Sequence, residues 1–102
     1  MTNQEFNDIV AKQLEYCTSL MCQKGVEYDS STEDRLRSFK VAAELQGVSS
    51  KQALAGMMCK HTVSIYDMCK DGEYSIAKWE EKITDHINYL LLLKALIVEE
   101  DK

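Results

Sequence analysis

The stretch WEEKITDHINYLLLLKALIV, from Trp79 to Val98, constrains the fold of this chain more than any other. It holds no glycine or proline and reads as one long helix. Glu80, Glu81, Asp85 and Asn88 lie in its first half; from Tyr89 to Val98 only Lys94 interrupts the apolar residues. At about 100° per residue, Ile76, Trp79, Ile83, Ile87, Leu90 and Ile97 fall on one stripe. Glu81, Asp85 and Asn88, spaced i, i+4, i+7, fall on the opposite side, and that line continues through Leu92 with Ala95 and Leu96 beside it. A helix with two apolar faces has to be covered twice. The expectation is that the isoleucine stripe builds the domain core. The second face then meets another helix or another subunit, with the acids at the rim of that contact.

Three further helices precede it. Thr2 and Glu5 have capping-box spacing, and Phe6, Ile9, Val10, Leu14, Cys17, Leu20 and Met21 form an apolar stripe that ends near Gly25, a plausible C-cap. VEYDSST reads as an ordered loop with Tyr28 as its one large side chain. A second helix is expected from about Glu33 to Gln46, with Ser31 or Thr32 as N-cap, Gly47 as C-cap, and Leu36, Phe39, Ala43 and Leu45 inward. The third begins at SSKQ, where Ser49 and Gln52 again have capping-box spacing. It carries Leu54, Met58, His61, Ile65 and Cys69 on its core face and ends at Asp71-Gly72. Ser75 caps the fourth. With 102 residues, no proline and four glycines, the chain reads as one domain, residues 1–102. That domain is all-α: a compact four-helix unit with a long C-terminal helix, expected to assemble as a helical homo-oligomer.

Charge and cysteine usage narrow the functional classes. A formal net charge of -5 argues against a nucleic-acid polymer or an anionic membrane as partner. The apolar run from Tyr89 to Val98 is shorter than the about 20 residues a bilayer span needs. MTNQEFNDIV lacks the basic and apolar regions of a signal peptide. Cys17, Cys22, Cys59 and Cys69 form no CxxC pair and read as small hydrophobes in a reducing compartment, so the expected location is the cytoplasm.

The candidate site lies between helices three and four. Lys60, Ser64 and Asp67 share a face of helix three, with small residues Ala53 and Gly56 one and two turns earlier. A lysine facing acids across a helix pair suits a phosphate, a metal with phosphate, or a structural ion pair; charges at these spacings also occur on plain solvated faces. His61 and His86 border apolar stripes, where core histidines are common. Trp79 and Tyr89 read as packing aromatics. Tyr28 in its loop suits stacking or hydrogen bonding to a ligand. Arg35 and Arg37, in the first turn of helix two, oppose the helix dipole, which hints at a phosphate or carboxylate partner. No glycine-rich phosphate loop, GxSxG or HExxH is present.

The ordered set KGVEYDSS, RLRSFKVAAELQG, ALAGMMCKHTVSIYDM and WEEKITDHINYLLLLKAL, over about residues 24 to 98, resembles small phage-encoded helical domains of unknown function. It is also similar to the nucleotide-modification-associated domains of phages. More distantly, EEKITDHINYLLLL looks like the EExxDxxxYLL motif of the MazG-like all-α nucleotide pyrophosphohydrolases. That resemblance implies acids from two helices holding Mg²⁺, which bridges phosphates and activates water. Glu81 and Asp85 match one acidic motif. The other, an EExxE, is missing: Lys60 and His61 stand in its place, with Asp67 further on.

Two expectations follow. In the first, the chain is not an enzyme. It is an oligomer holding a nucleotide, a cyclic nucleotide or another nucleotide-derived signal between helices at a subunit contact, without a cofactor, as a phage protein sequestering a host defence signal would. Lys60, His61 and Arg35 or Arg37 then meet phosphates, Tyr28 stacks or hydrogen-bonds, Asp85 and Asn88 read sugar or base, and Ser64 lies among the ligand-binding residues. In the alternative, it is a Mg²⁺-dependent nucleotide pyrophosphohydrolase using Glu81, Asp85 and Asp67 as metal ligands.

Overall fold

The computed structural model describes residues 1–28, 34–70 and 72–102, with the side chains of residues 22–28 outside the description. Among the described residues there are four helices and no strand: α1 (Asn3–Tyr28), α2 (Arg37–Gln46), α3 (Ser50–Lys70) and α4 (Ile76–Glu100). The fold is all-α with a long C-terminal helix. No helix among the described residues is long and apolar enough to cross a membrane.

The helix starts are set by local chemistry. The Thr2 amide donates to Glu5 Oε1 at 3.2 Å and the Glu5 amide to Thr2 Oγ1 at 3.1 Å, a reciprocal box that satisfies two otherwise orphaned N–H groups. Ser49 and Gln52 repeat the pattern at α3, both at 3.1 Å. The Ser75 hydroxyl accepts from the Lys78 amide at 3.1 Å at α4. At α2 the expected caps Ser31 and Thr32, and Glu33, lie outside the described residues. There Asp34 forms the turn: its carboxylate accepts from the Leu36 amide at 3.0 Å and its carbonyl from the Arg37 amide at 3.0 Å. The helix therefore begins at Arg37.

The ends differ in how glycine is used. Gly47 sits at φ 68°, ψ 35°, with Val48 N–H bonded to Ala43 O and Gly47 N–H to Glu44 O, the Schellman pattern. Of the expected Asp71-Gly72 stop, Asp71 lies outside the described residues and Gly72 has φ 85° in the α3–α4 turn. The expectation for Gly25 is corrected: α1 continues through it to Tyr28. A glycine in a helix costs only about 1 kcal/mol relative to alanine, and neighbouring turns absorb that.

The core is Leu36 and Phe39 from the start of α2, Leu54 from α3 and Leu96 from α4, with Met57, Tyr89, Leu92 and Leu93 packed against it. Leu54 and Leu96 are fully buried. This reverses the expected assignment of the two faces of α4. Leu92 and Leu96 pack inside the chain, whereas Ile76, Ile83, Leu90 and Ile97 remain 76%, 39%, 48% and 47% exposed. Periodicity reveals that α4 has two apolar faces but carries no information on which one α2 and α3 occupy. Smaller corrections share this cause: Leu45 is exposed, and Met68 rather than Cys69 is the buried residue near the end of α3.

Helix α3 packs on α4, α2 on α3, and α1 on α4. Gln13 Nε2 donates to Thr84 Oγ1 at 2.7 Å, and Arg35 Nη2 donates to the Met21 carbonyl at 3.2 Å, so α1 is held at Gln13 and again at Met21. Every residue from Met1 to Lys12 is exposed, Phe6, Ile9 and Val10 included. The radius of gyration is 15.7 Å, above the about 13 Å expected for 100 compact residues. Leu54→Ala should lower the unfolding free energy by about 2–5 kcal/mol in urea titration, against under about 0.5 kcal/mol for Leu45→Ala. Gly47→Ala should cost about 1–2 kcal/mol through its left-handed φ alone, since a Cβ there meets nothing within 4 Å.

Candidate functional site

One side of the α3–α4 pair opens into a groove of about 450 Å³. Lys60, Val63, Ser64, Asp67 and Met68 line it from α3, Tyr74 from the connecting turn, and Lys78 and Lys82 from α4. The i, i+4, i+7 spacing of Lys60, Ser64 and Asp67 places all three on the same wall, as the sequence indicates. Tyr74 is oriented by an edge-on contact with Trp79, ring centroids 6.0 Å apart at 83°. Lys78 lies 3.9 Å from Glu81, an exposed pair that leaves its ammonium largely hydrated. Lys60 and Lys82 join none of the ion pairs among the described residues. Three lysines against Asp67 make the groove locally basic in a chain of net charge -5.

Tyr74, Lys78 and Lys82 do not stand out in the sequence. The signal it offers is the i, i+4 pair Lys78 and Lys82, which occupy one side of α4. That they face Lys60 follows from how α3 and α4 cross, and sequence spacing does not encode the crossing.

Next to the groove, His61 is half-buried against α4, its ring 4.9 Å from that of Tyr89 and tilted by 37°. Burial pushes its pKa below the ordinary 6.5; the Asp85 carboxylate pulls the other way, and Lys60, Lys82 and His86 add to the lowering. His61 is therefore neutral at pH 7, free to donate from one ring nitrogen and accept at the other. His86 Nε2 lies 2.9 Å from Thr62 Oγ1, a second polar link between α3 and α4.

Deeper on α4, Thr84 and Asn88 are the buried polar residues among those described, at 6% and 4% exposure. Thr84 is satisfied by Gln13, which also reaches Cys17 Sγ at 3.4 Å. Asn88 is not: neither its Oδ1 nor its Nδ2 has a partner among the described residues. An amide stranded in this way costs about 1–3 kcal/mol.

The remaining candidates are dispersed. Arg35 anchors the start of α2 on the Met21 carbonyl of α1. Arg37 opens α2. The Tyr28 side chain lies outside the described residues. Of the expected metal ligands, Glu81 is turned to Lys78, Asp67 lines the groove, and Asp85 lies near His61. Among the described residues no three His, Cys, Asp or Glu are grouped to hold a metal ion.

No family model, no curated protein and no solved structure matches this chain.

The neutral His61 has a consequence for stability. A histidine whose folded pKa is depressed contributes stability that is complete above the unfolded value of 6.5 and lost as pH falls through the folded value. The melting temperature should drop as pH falls below the ordinary histidine value of 6.5, and His61→Gln should flatten that slope. An unchanged slope in the variant would remove His61 as its source.

Proposed function

We propose that this chain binds a nucleotide or nucleotide-derived signal in the α3–α4 groove without turning it over. The observation that carries the reading is the convergence of Lys60, Lys78 and Lys82 on one groove of an otherwise acidic chain. Ammonium groups are strongly hydrated point charges that suit phosphate oxygens. Ser64 adds a hydroxyl at the same wall, and Tyr74 a ring on which a base or sugar rests. In this reading the phosphates lie on the lysines, and His61, Asp85 and Asn88, further along the helix pair, meet the polar edge of the ligand. Asn88 supports that direction, since it keeps an unbonded donor and an unbonded acceptor on one buried amide. The sequence resemblance to phage domains suggests the context, capture of a host defence nucleotide in the host cytoplasm.

A pyrophosphohydrolase needs grouped acids, and Glu81, Asp85 and Asp67 have different partners and surroundings. Among the described residues no three acids, histidines or cysteines are grouped around one point, which supports binding over hydrolysis.

The test is calorimetric titration with linear and cyclic nucleotides, inorganic phosphate and pyrophosphate, with the ligand recovered after heating. Intact recovery supports binding; released phosphate or pyrophosphate in the presence of Mg²⁺ would replace this reading with the hydrolase. Lys60→Ala and Lys82→Ala should each weaken binding by about 1.5–3 kcal/mol, the range for charged hydrogen bonds. Asn88→Leu removes the stranded amide at similar volume. It should hold or raise the melting temperature while lowering affinity; a loss of stability with affinity intact would assign Asn88 to the scaffold.

A further inference from the structure

We infer that the outer stripe of α4 is the contact surface for a second copy of this chain, with the two α4 helices antiparallel about a two-fold axis near residues 86 and 87. This goes beyond the groove and does not depend on what the groove binds. Ile76, Ile83, Leu90 and Ile97 recur every seven residues and are 39–76% exposed. The stripe spans 21 residues, about 32 Å of helix at 1.5 Å per residue. Scattered apolar side chains are ordinary on a monomer, but an unbroken stripe along a whole helix marks an interaction surface. A strict seven-residue repeat is the pattern that keeps such a seam against another helix.

The spacing of the stripe selects the occupant. An isologous contact requires that residue i meets residue j and residue j meets residue i. Inverting α4 about a point between residues 86 and 87 brings Ile76 onto Ile97 and Ile83 onto Leu90, so every apolar position meets an apolar position. The flanking charges obey the same symmetry. Glu80 and Lys94 are centred on residue 87, so each Glu80 is brought beside the partner copy's cation at the Lys94 position. Within one copy, neither joins an ion pair among the described residues. A parallel pairing would leave Glu80 and Lys94 14 residues apart along the seam, about 21 Å, and would form no such pair. Leu54 and Phe39 of its own chain occupy the inner face of α4 and Gln13 of α1 reaches Thr84 on its flank, so the exposed outer stripe is the apolar face left for a partner.

Sedimentation equilibrium of the full chain tests this. The wild type should be an even-numbered assembly, and Leu90→Glu should raise the dissociation constant at least tenfold with helical circular dichroism unchanged. Charge swaps guard against simple misfolding. Glu80→Lys and Lys94→Glu alone should each weaken assembly, and the double variant should restore it. A monomeric wild type, or a double variant no stronger than either single one, would overturn the antiparallel pairing. So would an assembly indifferent to Leu90→Glu but broken by Phe6→Glu, which would place the contact on α1 instead.

Discussion

The closure of Leu96 onto Leu36, Phe39 and Leu54 is the contact on which the rest of the molecule depends. Helix α2 has ten residues, shorter than the about 12–15 at which an isolated helix becomes even marginal in water. It persists because Leu36 and Phe39 bury against α3 and α4. The same closure sets the rotation of α4 about its own axis. With Leu96 inward, Lys78 and Lys82 come round to Lys60, and Ile83 and Leu90 turn outward. Tyr89 extends the link, since its ring meets Phe39 edge-on at 6.5 Å on one side and His61 on the other. Core packing and candidate site are therefore mechanically joined through one residue.

Along its inner face α4 changes character. The C-terminal half buries leucines against α2 and α3, while the N-terminal half buries Thr84 and Asn88. Thr84 finds its hydrogen bond from Gln13 of α1, and Asn88 finds none. An uncompensated amide in a small domain is a local conflict between sequence and fold, and such conflicts concentrate at functional positions. The charged links at the other end of α4 behave differently. Lys40 bridges Asp34 and Glu99, and Lys51 reaches Glu100 at 3.7 Å. The hydrogen bond from Lys40 and that from the Leu36 amide hold the Asp34 carboxyl below its usual range. These groups are solvent-exposed, so they orient helix ends more than they stabilise them.

Local features are legible in the sequence because their physics is local. A capping box needs only residues three apart, and the boxes at Thr2 and Ser49 and the cap at Ser75 occur where the spacing places them. Lys60, Ser64 and Asp67 share a wall for the same reason. Features that need a second helix are not legible. The isoleucine stripe of α4 runs further along the helix than the leucines of its inner face, yet neither its length nor its period says which face meets α2 and α3. Lys78 and Lys82 look like ordinary surface lysines because α4 alone gives no hint that α3 presents Lys60 to them.

The sequence by itself determined that this chain is a set of four helices, where most of them begin, and which residues share a face on each. Those are consequences of backbone hydrogen bonding, side-chain caps and a 3.6-residue repeat. Only the tertiary structure decided which face of α4 is core, which lysines meet in the groove, and which amide is stranded. Each of these depends on the rotation of one helix against another, and that rotation is chosen by packing of side chains far apart in the chain.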